Sequence, residues 1–227
     1  MAIDKSNTSL GVKIILVFVA IAMVGYLVPT LFGLFSSNGV TNTNANQTAN
    51  DVLAQISAKY TPTTTALDTA LRSEPTSYTA LVTQGDTYFD WALEVMQAAS
   101  NDQKLIGADQ PMWLSARQYY ERANAIKGDD PNVNVDLSIT YFYSGETTKA
   151  VALATKVTKT NPDFAPAWFN LGIFNGSEGN TAVAIAAFEK ALKLDPKGER
   201  INTEYIQQQL TALRGSASAT SSVVTSP

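Results

Sequence analysis

The 227-residue sequence has no cysteine and no histidine. Without cysteine there are no disulfides, thiol nucleophiles, thiolate metal sites or lipid-modified cysteine anchors. Without histidine the commonest general base and metal ligand is missing, so a serine hydrolase would need another base and a zinc site could use only carboxylates. Positive charge is also scarce. The net charge is −4, and a nucleic-acid-binding surface ordinarily needs the opposite sign. No phosphate loop, dinucleotide fingerprint, nucleophile elbow or pair of loop carboxylates is found, and Ser57-Ala58-Lys59 reads as an exposed helix turn. Together these absences argue against an enzyme and imply no cofactor.

Charge is absent altogether from Ile14 to Phe35, a run of 22 residues rich in Ile, Leu, Val and Phe. At about 1.5 Å per residue such a helix spans about 30 Å, the thickness of a bilayer's hydrocarbon core. Lys5 and Lys13 precede the run, and no Lys or Arg follows until Lys59. The positive-inside rule then predicts a single-pass protein of the cell membrane, with residues 1–13 cytoplasmic, a transmembrane helix over 14–35 and the remainder exported. The alternative is a cleaved signal peptide, whose apolar core is normally only about 7–15 residues long. Residues 36–50, small, polar and uncharged, read as a flexible linker, and residues 215–227, rich in Ser, Thr and Ala, as a disordered tail.

The strongest signal is internal repetition. Shifted by 34 residues, Leu171 falls on Leu137, Gly172 on Ser138, Gly179 on Gly145, Ala184 on Ala150, Phe188 on Ala154, Ala191 on Val157 and Pro196 on Pro162. Small residues let antiparallel helices approach, large ones fill the gaps between pairs, glycines serve the turns and prolines close the second helices. Trp168, Leu171, Gly172, Ala184, Phe188, Ala191 and Pro196 resemble the tetratricopeptide-repeat (TPR) pattern, with Asn175 in place of the usual tyrosine. The preceding repeat keeps that aromatic as Tyr141 but has Asn134 for the tryptophan and Ala154 for the bulky second-helix residue.

The fold expected is all-α, a TPR-type solenoid of antiparallel helix pairs behind one transmembrane helix. Residues 131–164 and 165–198 are full repeats. Residues 78–130 form a repeat lengthened by about 19 residues, because Gly85 and Tyr88 stand 53 rather than 34 residues before Ser138 and Tyr141. Its first helix continues to about Ala99 on the stripe Tyr88, Ala92, Val95 and Ala99. A loop, 100–110, follows, and Pro111 opens the second helix. Residues 51–77 read as a degenerate half-repeat, with a short first helix at Asp51–Tyr60 and a second-helix ending at Leu67, Ala70, Leu71 and Pro75. Residues 199–214 read as a capping helix with Ile201, Tyr205, Ile206, Leu210 and Leu213 on one side.

The TPR resemblance implies that first helices line a groove for a protein partner. On that basis Val82, Phe89, Val135, Ile139, Phe142, Phe169, Asn170 and Ile173 are the candidate partner-binding residues, with Asp86, Asp90, Asn132, Tyr143 and Ser177 on the same faces. Basic residues of the family's carboxylate clamp are absent there, so the groove suits an apolar partner segment. The same residues could equally be core covered by the insertion or the capping helix. Asp86, Asp90 and Glu94, at i, i+4 and i+8, read as a solvated face, the other reading being a site for a cation or a basic partner. Lys190, Lys193, Lys197 and Arg200 complement a helix C-terminus. Asn7, Asn46 and Asn175 stand in glycosylation sequons. The function expected is a membrane-tethered adaptor that binds a protein partner and no nucleic acid, or alternatively a permanent structural subunit of a larger membrane complex.

Overall fold

The computed structural model describes residues 48–223, with side chains to 215, and is built of α-helices with no strand among the described residues. The expected transmembrane helix (14–35) and most of the expected linker lie outside the described residues. Among those described, no helix is long and apolar enough to cross a membrane.

The helices are α1 (Ala49–Ser73), α2 (Tyr78–Asn101), α3 (Gln110–Ile126), α4 (Pro131–Tyr143), α5 (Thr147–Thr160), α6 (Ala165–Ser177), α7 (Thr181–Leu194) and α8 (Thr203–Val223). Each packs on the next, in the pairs α2/α3, α4/α5 and α6/α7, and α4 also touches α6 across the repeat boundary. The helix-pair solenoid expected from the 34-residue period is therefore present.

The reversals repeat with the sequence. Gly145 (φ 80°) and Gly179 (φ 77°) take the left-handed conformation between the helices of successive pairs. Beside them Glu146 N–H donates to the Tyr141 carbonyl (2.8 Å) and Asn180 N–H to the Asn175 carbonyl (2.9 Å). Both satisfy carbonyls that the ending helix leaves orphaned. Pro162 and Pro196 follow the last residues of α5 and α7 by two positions.

Close approach inside the pairs rests on matched sizes. A Cβ added at Gly172 would lie 2.6 Å from the Phe188 ring, and one at Gly85 2.6 Å from the Tyr120 ring. The middle pair carries Ser138 and Ala154 at the corresponding positions, both buried. A slightly larger first-helix residue is thus matched by a much smaller second-helix one.

Two expectations are corrected. Residues 51–73 form one continuous helix rather than a short helix and a partner, running through Pro62. No glycine stands between Tyr60 and Leu67 to reverse the chain as Gly145 and Gly179 do, and the Thr61 hydroxyl bonds the Ser57 carbonyl at 2.8 Å. The lengthened repeat runs its first helix to Asn101, close to the expected end at Ala99, so α2 has 24 residues where α4 and α6 have 13. A 3₁₀ turn (Gln103–Leu105) and Gly107 (φ 84°) then lead into α3. Finally, the capping helix begins at Thr203 and its backbone stays helical to Val223, into the segment expected to be disordered. Elongation of an established helix through Ser and Ala is nearly free once the first turns exist.

Entry into α8 is organised by one carboxylate. Asp195 Oδ1 accepts from Glu199 N–H (3.0 Å), and its Oδ2 accepts from Arg200 N–H (2.7 Å) and Ile201 N–H (3.0 Å). The turn seats Ile201, Tyr205, Ile206 and Leu210 in the core.

Candidate functional site

The first helices bring the eight candidate groove residues into one region, and most of them are closed off. Phe89, Val135, Ile139, Phe169, Asn170 and Ile173 are buried, while Val82 and Phe142 are half-buried. Phe89 and Phe169 are closed off by other rings. Phe89 meets Trp113 edge-on at 5.0 Å, and Trp113 stacks on Tyr143 at 4.5 Å. Tyr143 meets Phe142 at 5.4 Å, and Phe142 stacks on Phe174 at 4.9 Å. A continuous aromatic train therefore crosses all three pairs. At its far end the Tyr205 ring of the capping helix stands edge-on to Phe169 at 5.9 Å. Asn132 and Ser177 are exposed, and Arg200 lies over the Phe164 ring at 4.4 Å, half-buried. The sequon residue Asn175 is buried, its amide donating to the Leu171 carbonyl at 2.9 Å, so it offers no acceptor for a glycan.

The acidic stripe divides in two. Glu94 accepts from Lys59 and, at 2.7 Å, from the Tyr60 hydroxyl, and these partners hold its carboxyl below the ordinary range despite partial burial. Asp86 and Asp90 are not the solvated face expected of them. Burial raises the Asp86 carboxyl, although the Tyr120 hydroxyl donates to its Oδ1 at 2.7 Å. Burial, then repulsion from Asp86, pushes Asp90 up to about 6, with Lys59 opposing.

Asp136 in α4 was not among the candidates. It is 5% exposed, its Oδ1 has no hydrogen-bond partner, and burial followed by repulsion from Asp86, Asp90 and Asp130 drives its carboxyl well above the ordinary range. Burial, and then the charges of Asp86 and Asp136, raise the Tyr120 hydroxyl well above its ordinary range. The sequence held one signal for Asp136: it is the single charged residue from Pro131 to Gly145, and its counterpart one period on is Asn170. Burial of a charge needs a partner or a shift toward the neutral form. Asp136, as it stands, takes the second course.

Residues 135–199 match the family model described as tetratricopeptide repeat. Among solved structures, a thermophilic TPR protein of Thermus thermophilus is 17% identical and superposes with a TM-score of 0.50, covering 74% of this chain and 82% of its own. The Sgt2 TPR domain from Aspergillus fumigatus is 18% identical, with a TM-score of 0.49 over 66% of this chain and 85% of its own. No curated protein gives a sequence match. The family match falls on the last two helix pairs: residues 135–199 are similar to tetratricopeptide repeats, within a longer solenoid of helix pairs.

Proposed function

We propose that the chain is a membrane-tethered protein–protein interaction scaffold that presents its TPR array to a partner at the outer face of the cytoplasmic membrane. The observation that carries the scaffold half is the stack of helix pairs with its family match over 135–199. The tether half rests on the uncharged run Ile14–Phe35 and the lysines before it. A partner's apolar segment would dock at the accessible edge of the first-helix face, where Val82 and Phe142 are half-buried. The other groove candidates would support that edge from beneath.

A permanent structural subunit is favoured by one observation, the burial of six of the eight groove positions by the array's own rings. Photo-crosslinkers at Val82 and Phe142, with one on exposed Leu114 as control, separate the readings. They are to be activated in native membranes and the products identified by mass spectrometry. The scaffold reading expects one partner protein at Val82 and Phe142 and not at Leu114. Retention of a stoichiometric partner through detergent extraction, with no crosslink at either groove position, supports the subunit reading and sinks the scaffold. Deletion of residues 14–35 should release the protein from alkali-washed membranes, and continued retention would refute the tether.

A further inference from the structure

Resting on the tether reading, we propose that the outer face of the second helices, α3, α5 and α7, lies on the anionic headgroups of the membrane that anchors the chain. In a protein of net charge −4, charge is segregated by helix layer. The first helices α2, α4 and α6 carry Asp86, Asp90, Glu94 and Asp136 and no basic residue. Helices α5 and α7 carry Lys149, Lys156, Lys159, Lys190 and Lys193 with one acid, Glu189, which accepts from Arg214 at 2.6 Å. The cations also follow the repeat. Arg122, Lys156 and Lys190 stand 34 residues apart, at one position of three successive second helices, and Lys159 and Lys193 share another. Lys156, Lys159 and Lys193 are exposed and Lys190 is half-buried, and none of these four is in an ion pair among the described residues. Arg122 donates to the Pro75 carbonyl at 2.9 Å, a partner that leaves its charge unneutralised.

Helix dipoles account for Lys159 and Lys193, in the last turns of α5 and α7, but not for Lys156 and Lys190, which precede those turns. The same layer holds three of the four large apolar side chains exposed among the described residues, Leu114 and Ile126 on α3 and Val183 on α7. Cations interleaved with apolar side chains match a headgroup layer, where ammonium groups meet phosphates and apolar groups enter the acyl boundary. An acidic polypeptide would answer the charge alone. Residues 36–48 separate Phe35, the end of the uncharged run, from α1, and even fully extended they reach no more than about 45 Å. The headgroups are thus held at high effective concentration, and several weak contacts suffice. With the second-helix layer on lipid, the first-helix edge at Val82 and Phe142 is turned toward a partner.

The test uses the full chain, whose lack of cysteine allows single labels. A fluorophore on Ala152→Cys, exposed on α5, reports the proposed face, and one on Ser177→Cys, exposed at the end of α6, reports the other layer. Each is reconstituted into phosphatidylcholine vesicles containing a headgroup-quencher lipid, with or without about 30% phosphatidylglycerol. Quenching at Ala152→Cys should rise at least about threefold with phosphatidylglycerol and fall back in about 0.5 M salt, with no such change at Ser177→Cys. Lys156→Gln, Lys159→Gln, Lys190→Gln and Lys193→Gln together should abolish the rise with the circular dichroism spectrum unchanged. No rise, an equal rise at both labels, or a rise that survives the four substitutions and the salt would overturn the proposal. A chain that stays in alkali-washed vesicles without the rise keeps the tether and loses the face. A chain washed out of them loses both. If the rise is absent and the four substitutions instead abolish a crosslink from Ala152→Cys to a protein of native membranes, the face binds an acidic protein and the lipid proposal falls.

Discussion

The first and last helix pairs share a glycine-to-ring approach and differ in the polar contacts around it. In α6/α7 Gly172 is set against Phe188, and the buried amides of Asn170 and Asn175 turn back to their own helix at Pro166 and Leu171. In α2/α3 Gly85 is set against Tyr120, and side chains also bind between helices, mostly to α1. Gln84 donates to the Thr64 carbonyl and to Asp68, Tyr119 donates to Asp68 at 2.8 Å, and Tyr120 donates to Asp86. Tyr60, Trp91, Tyr88 and Tyr119 also stack in a ladder at 5.6 to 5.9 Å, each step nearly parallel. A pair held by volume must keep its repeat pattern, because each small residue needs its large partner. In α2/α3 the volume match at Gly85 and Tyr120 is kept, and polar contacts with α1 accompany longer helices and a longer connection.

The sharpest break in that comparison is Trp113→Ala against Phe188→Ala. Both rings are buried, and each truncation should cost about 3–5 kcal/mol. Trp113 also stacks on Tyr143 and donates to Asp109 at 2.8 Å. Its loss should loosen α4 as well as α2/α3, whereas loss of Phe188 should loosen α6/α7 alone. Hydrogen exchange read helix by helix checks this, and identical protection maps would refute it.

The volume rule has its own test. Gly172→Ser alone should cost about 1–3 kcal/mol by crowding Phe188. Combined with Phe188→Ala it recreates the middle pair's serine and alanine, so the double variant should be more stable than the sum of the singles by about 1 kcal/mol or more. Additive denaturation midpoints would mean that the two sites do not share a volume.

Gly145→Ala and Gly179→Ala should each cost about 1–2 kcal/mol, and by equal amounts, since an added Cβ meets nothing within 4 Å and only the left-handed backbone is penalised. Unequal costs would show that the two turns are not equivalent.

The smallest effect separates the first two pairs, with buried acids on α2 and α4, from the last by pH. Asp86, Asp90 and Asp136 have folded-state values raised above 3.8, so the folded protein binds protons that the unfolded chain releases. Their contribution is complete below about 4 and lost as pH rises through their raised folded-state values, about 6 for Asp90. Asp130 and Glu94 are lowered, and act in the opposite sense only below about 4. Calorimetry should therefore show Tm falling from pH 5 to pH 7, with Asp136→Asn flattening the fall and raising Tm at pH 7 by about 2–4 °C. A profile unchanged by that substitution would remove Asp136 from the account.

The legible parts of the sequence were those set by volume and turn geometry. The 34-residue offset located the reversals at Gly145 and Gly179, the closures at Pro162 and Pro196 and the capping stripe from Ile201 to Leu213. The single helix through Pro62 was not legible, because proline reads locally as a stop while docking on α2 overrides it. The candidate groove residues stand on the first helices, and the sequence left their burial as one of two open readings. For Phe89 and Phe169 it was decided by Trp113 and Tyr205, ring partners far from them in sequence. Asp136 was hidden for the converse reason: an isolated acid has no periodicity, and its meaning comes only from neighbours on another helix.

Helix α1 is where the chain leading from the amino terminus enters the array, and it lies antiparallel to α2, with Lys59 and Tyr60 against Glu94 and Trp91 and Thr64 against Gln84. Tension arriving through Thr48 therefore acts on one end of a hairpin. It would open the contacts one after another, like a zipper, instead of shearing them all at once. Such an element yields at low force and recloses when slack. Tyr60 leaving Trp91 is the first ring contact to part, so indole fluorescence would register load on the protein before any repeat is disturbed.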